Sequence, residues 1–325
     1  MILPPLVGLA VAVVLAAGAF LVLWLDRFKG EPAMRLVLMA AWGAACALVL
    51  RFASPTLASL AASAAGGGGE PALAGGVAAL EELLLAAGLA ILATSHYLDG
   101  PLDGAAYGTV TGLGCAAVGL AASFAGGPSP ADPAAPTVAA VAQAGATALV
   151  GGAFGFAKLA LRAALRGPVV LAAAVVGGVY QWGVAAAAAW GRQGWGQQAM
   201  LFEVALGVAA VLLLVGVFLA GLAYERGVLA HQLTEEVALG VLPEWVGSLI
   251  PAYGKRVRSD WWPRRDERRA VVRLLTSLAY RKQQLRVLSE LRANLYGLEV
   301  GRLRQRARAL LAFAARPDRE TGNGG

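Results

Sequence analysis

Long uninterrupted apolar runs, rather than alternation or a repeating polar face, dominate the first two thirds of the chain. Seven can be read, at roughly 3–25, 34–60, 72–95, 104–125, 136–157, 168–190 and 199–223, each near the ~20 residues a helix needs to cross a bilayer. No Lys or Arg precedes the first run and no convincing small-residue cleavage site follows it, so it reads as a retained helix. The runs Gly66–Gly69 and Gly126–Pro136 read as connectors. No internal repeat emerges, which weakens a transporter built from inverted halves.

From Glu225 onward the pattern changes to short amphipathic stretches. ERGVLAHQLTEEVALG is expected to continue the seventh helix and stop at Gly240. Val271, Leu274, Leu278, Leu285, Leu288, Leu291, Leu295 and Leu298 recur in steps of three, four and seven, predicting one apolar helical face. Pro263 suits the first turn of that helix, and Gly297 is the expected break. The domain reading is therefore a transmembrane part, 1–224, and a helical tail, 225–325.

Composition agrees with the pattern. Hydrophobic residues make up 58% and charged residues 14% of 325, with a mean hydropathy of +0.65; too little polar surface exists to cover one water-soluble domain. The predicted class is all-α, a polytopic membrane helical bundle of about seven transmembrane helices with a C-terminal cytoplasmic helical tail. Cys46 and Cys115 both lie inside apolar runs, against a disulfide framework or a Cys-based zinc site. The two histidines, His96 and His231, cannot form an HExxH site.

Charge sets an expected orientation. Arg27, Lys29 and Arg35, then Lys158, Arg162 and Arg166, then the tail fall on one side of a seven-span chain, and the positive-inside rule makes that side cytoplasmic. The N-terminus is then outside, in the plasma (inner) membrane. Arg51 is an exception, expected to snorkel outward or pair with a carboxylate. The tail holds 19 Lys and Arg against 11 Asp and Glu, so the protein's formal +7 resides there. Trp261 and Trp262 beside Arg264 and Arg265 suit an interfacial anchor on anionic lipid. Packing against a protein partner or a second copy is the next reading, ahead of nucleic acid, for which no motif is present.

The candidate chemistry sits in ALAGGVAALEELLLAAGLAILATS, where Glu81 and Glu82 lie near the middle of an apolar run. About ten residues of helix put them roughly 15 Å deep, near the midplane. A charge there costs at least ~2.5 kcal/mol, which makes such residues functional candidates by default. Neighbours on a helix point ~100° apart, so at least one of the two needs a partner on another helix. HYLDGPLDGAAYGTVTGLGCAAVG adds Asp99 and Asp103, and its Gly108 and Gly112, like Gly151 and Gly155 later, suit close helix packing.

Together these residues resemble the PrsW-type intramembrane proteases, a family related to the CAAX proteases. The likeness runs through Asp26, Arg27, Glu31, Pro32 and Gly43, then the paired glutamates, and is strongest at LDGPLDGAAYG. EEVALGVLPEW followed by a basic helix is similar to extensions seen in members. The resemblance implies cleavage of membrane-associated proteins, with Glu81 and Glu82 as catalytic candidates. The chain departs from the family at Leu85, where a Lys follows the glutamates, and at Gly119, where a second carboxylate stands. Gln143 stands at a histidine position, and Val179 and Gly183 at those of His and Asn.

A catalytic metal needs about three protein ligands and an open position. Beyond the pair the membrane part offers Glu203, Asp99, Asp103 and His96, none at those positions. The preferred expectation is a binding or scaffold homologue with weak or no peptidase activity. The alternatives are an active metallo- or glutamic peptidase, which alone calls for a divalent metal, and a proton-coupled transporter. The expected partners are the lipid bilayer, a membrane-protein substrate or partner, and a second copy of the chain.

Overall fold

The computed structural model describes residues 33–65, 70–95, 98–125, 135–192, 196–252, 255, 262, 265–287 and 290–314. Within them the chain is helical: α1 is Ala33–Ala65, α2 Glu70–Thr94, α3 Pro101–Ala125, α4 Ala135–Ala160, α5 Ala163–Arg192 and α6 Gly196–Ala238. After these come α7, Glu244–Leu249, α8, Arg265–Leu285, and α9, Glu290–Ala314. Each of α1 to α6 contains a stretch long and apolar enough to cross a membrane, six in all among the described residues. The protein is thus an all-α integral membrane protein in contact with lipid. The expected span at 3–25 lies outside the described residues.

The chain divides into two compact units. One holds α1 to α3, α4 as far as Lys158, α5 from Ala164 and α6 as far as Gly221; the other continues α6 from Leu222 and adds α7, α8 and α9.

In the first unit glycine decides which helices meet. Between apolar helices in lipid there is little hydrophobic gain from association, so close backbone contact has to supply it. Along α3, a Cβ on Gly104 would fall on the carbonyl oxygen of Gly151, and one on Gly108 on that of Thr147. At Gly112 it would lie 2.7 Å from the Gln143 oxygen. Rising positions on α3 meet falling positions on α4, so the two run antiparallel. The other side of α3 is equally tight, because a Cβ on Gly114 would fall on the Ala40 carbonyl of α1 and one on Gly43 on the Thr111 carbonyl. The glycine faces expected from the sequence are therefore the contact faces, and α3 is their centre.

Around α3 and α4 the rest is arranged by apolar packing. Trp42 of α1 donates its indole N–H to the Leu84 carbonyl of α2 at 3.2 Å and lies over Gly88. Ala142 of α4, Val184 of α5 and Ala210 of α6 form a buried cluster with Tyr180 and Leu206 against it, and the Tyr180 hydroxyl donates to the Leu206 carbonyl. Gly207 faces Val138, Gly145 faces Ala210 and Gly152 faces Val217, so α4 and α6 run parallel.

α6 has 43 residues, about 64 Å at 1.5 Å each, against a hydrocarbon core of ~30 Å. As expected, it continues past the apolar run and ends just before Gly240. The ending is a Schellman motif: Gly240 has φ +66°, its N–H bonds the Val237 carbonyl at 2.9 Å, and Val241 N–H reaches Glu236 O at 2.9 Å.

In the second unit, α8 and α9 are held by apolar and ionic contacts. Val271, Val272, Leu275, Leu278 and Ala279 are buried. Arg281 donates to Glu299 at 3.0 Å and lies over the Tyr296 ring. The expectation of one continuous apolar face fails here in two ways. The helix is interrupted after Leu285, where Arg286 and Val287 make short-range turns to Gln283 and Gln284, and Gly297 lies inside α9. That interruption resets the helical phase, so Leu295 and Leu298 are exposed at 70% and 65%. Trp262 is also turned inward rather than outward. It is buried and donates its indole N–H to Glu267 at 3.2 Å, so it does not serve as an interfacial anchor. Trp261 and Pro263 lie outside the described residues.

Candidate functional site

Glu81 and Glu82 are consecutive on α2, and the helix sends them to different neighbours. Glu81 Oε1 accepts from the Cys115 thiol of α3, beside a buried cluster of Cys46, Leu85 and Cys115. Glu82 is 1% exposed, and its Oε2 accepts from Gln143 Nε2 of α4 at 3.2 Å. That amide also reaches the Thr147 hydroxyl at 3.3 Å, which donates in turn to the Gln143 carbonyl at 2.9 Å. The second oxygen, Glu82 Oε1, is buried without a hydrogen-bond partner among the described residues. It faces α5 where Gly177 leaves a gap, since a Cβ there would stand 3.5 Å from it.

Arg51, a partner considered from the sequence, is exposed on α1, whereas the carboxylates bond to Cys115 and Gln143. Asp99 and Asp103 are buried and act at the start of α3. The Asp99 N–H donates to Asp103 Oδ2 at 3.2 Å, and an acid in the first turn complements the helix dipole. Glu203 is buried on α6. The Gly207–Val138 and Gly145–Ala210 contacts set it at the level of the start of α4, about two turns or ~10 Å from Gln143 along the axis. His96 lies outside the described residues.

The positions where the sequence departs from its look-alikes separate in space. Leu85 is fully buried in the apolar cluster with the two cysteines. Gln143 bonds directly to Glu82. Val179 is 60% exposed, and a Cβ on Gly183 would meet nothing within 4 Å. The buried polar residue of that stretch is Gln181, which sequence reasoning missed and whose Nε2 has no hydrogen-bond partner among the described residues. The available signal was its spacing of four from Gly177, which puts both on one helical face.

Fold and site together define a polytopic helical membrane protein with a carboxylate pair in the bundle core. Residues 31–121 match the model of the PrsW family, described as intramembrane metalloproteases. The match takes in Glu81, Glu82 and Cys115 and stops short of Gln143 and Gln181. No curated protein and no solved structure matches the chain.

The family description implies a metal, and the side chains can be tested for it. Among the described residues no group of three His, Cys, Asp or Glu is placed to hold an ion. Glu81 is engaged by a thiol of α3 and Glu82 by a carboxamide of α4. This donor set does not fit a three-ligand metal centre.

Proposed function

We propose that the chain is a binding or scaffold homologue of the PrsW-type proteases, engaging other membrane proteins through its bundle and having weak or no peptidase activity. The observation that carries this reading is the division of the pair: Glu81 is turned to α3 and Glu82 to α4. Acid–base hydrolysis needs two groups acting on one water, with separated proton affinities, and a division between two helices supplies no such focus. The test is incubation of purified wild-type protein with single-pass membrane substrates. The expected result is no cleavage above that of Glu82→Gln; cleavage by wild type that disappears in Glu82→Gln refutes the reading.

A second reading, an active peptidase, is favoured by the open valence of Glu82 Oε1. It predicts a stoichiometric divalent metal in the purified protein that is lost in Glu81→Ala, whereas the scaffold reading predicts none.

We also place residues 1–224 in the plasma membrane with the N-terminus outside and 225–325 in the cytoplasm, on the strength of the basic loops. Arg302→Cys, exposed on α9, is then labelled by an impermeant maleimide in inverted vesicles and protected in intact cells. The reverse pattern overturns the orientation.

A further inference from the structure

The second unit carries an apolar surface that its own packing does not use. Within α9, Val300 and Ala307 are buried and Leu303 is half-buried, and Arg304 is tied to Glu236. At 100° per residue these four share one side of the helix, the side turned into the unit. Leu295 and Leu298, each more than three fifths exposed, fall on the far side. So do Arg302, Gln305, Arg306 and Ala309, all exposed, and the six form a stripe about 100° wide that runs for about four turns.

The stripe has leucines at one end and arginines beyond them, with no carboxylate among the six. Glu299, at its edge, is held by Arg281 at 3.0 Å. A surface that covers the stripe must therefore be apolar and anionic at once. The headgroup boundary of a bilayer containing anionic lipid is both: leucine reaches acyl carbon while guanidinium groups fork onto phosphate oxygens. That boundary is also always at hand, because α6 runs without a break from its apolar, membrane-spanning part into this unit, which holds the leaflet at high effective concentration. A second copy fits less well, since two such stripes face to face would set Arg302 and Arg306 of one among those of the other.

We propose that α9 docks on the bilayer surface through Leu295, Leu298, Arg302 and Arg306, and that the ligand it selects is the anionic phospholipid headgroup. The surface anchor expected at Trp262, which is turned inward, is thereby moved to α9. The inference does not depend on whether the bundle cleaves a substrate.

The test uses the full chain in nanodiscs of phosphatidylcholine, alone or mixed with phosphatidylglycerol. A fluorophore is attached at Gln305→Cys on the stripe or, as a comparison, at Thr234→Cys, exposed on α6, and docking is read as quenching by a lipid with a nitroxide on its headgroup. Strong quenching is expected at position 305 in anionic discs, and weak quenching there in neutral discs and at position 234 in both. Arg302→Gln with Arg306→Gln should lower the ratio of docked to undocked α9 roughly thirtyfold, about fivefold for each arginine. Leu295→Ser with Leu298→Ser should abolish the quenching with the elution profile unchanged. Raising the ionic strength from about 0.1 to about 1 M, which shortens the screening length from about 10 to about 3 Å, should weaken it. Equal quenching at position 305 in neutral and anionic discs, or quenching that survives the arginine pair, overturns the proposal. Absence of quenching in every disc also overturns it and leaves the stripe to a protein partner or a second copy.

Discussion

Gly151→Val is expected to abolish recovery of folded protein from the membrane. A Cβ at this position would fall on the Gly104 carbonyl and within 3.0 Å of the Gly108 Cα. All the obstructing atoms are backbone, so no rotamer change relieves them, and α3 cannot retreat because Gly114 and Gly43 press it equally against α1. Overpacking in a core costs typically 1–3 kcal/mol and sometimes more; with backbone on both sides the upper end applies, a large share of the 5–15 kcal/mol of a typical domain. Valine adds two Cγ atoms to a Cβ that already has no room, so Gly151→Ala should be milder but still destabilising. The measurement is the monodisperse fraction on size exclusion after detergent extraction. Gly119→Val serves as the control, since a Cβ there meets nothing within 4 Å. If Gly151→Val and Gly119→Val elute alike, the α3–α4 contact is not as described.

The second large effect is expected from Glu236→Gln, in the unit that carries α8 and α9. Glu236 is fully buried, with Lys282 Nζ at 2.6 Å and Arg304 Nε and Nη2 at 2.8 and 2.7 Å. One carboxylate of α6 thus ties down both α8 and α9. Its hydrogen bonds also raise the already high pKa of Arg304, so that guanidinium does not escape by losing a proton. Breaking a buried ion pair by removing one partner costs about 3–5 kcal/mol. Arg304 is a third exposed, which puts the lower end in reach, and Lys282 retains Glu235 at 3.1 Å. A loss of ~3 kcal/mol corresponds to roughly a hundredfold faster amide exchange across 290–314. Glu299→Gln, which removes the partly exposed partner of Arg281, should cost under ~1 kcal/mol. Equal exchange in the two variants contradicts this assignment of the unit's anchor.

The hydrophobic pattern was enough to locate six of the spans and the long continuation of α6, because a bilayer imposes length and apolarity directly on the sequence. The glycine contacts were legible for a similar reason: small residues at spacing four have few other uses between apolar helices. What the pattern did not contain was azimuth relative to a partner. Val179 and Gln181 are only two residues apart, yet two residues turn a helix by about 200°, enough to exchange an exposed face for the core. The engagement of Glu81 by Cys115 was equally hidden, since periodicity names a face and not the neighbour that covers it. In the tail, two turn residues after Leu285 undid a stripe that looked continuous, and Gly297 proved tolerable inside a helix stabilised by its packing.

The glycine contacts of α3 also have a consequence at the level of the codon. Third-position changes in a glycine codon are silent, and every sense change at the first or second position adds at least a Cβ. Gly43, Gly104, Gly108, Gly114, Gly151 and Gly155 each face a carbonyl where that Cβ would have to stand. At these six sites no single-base substitution that replaces the glycine leaves room for the new side chain. The lipid-facing valines and leucines nearby can interchange by one base at little cost. Variation within this protein should therefore accumulate on its outer surface and leave these glycines fixed.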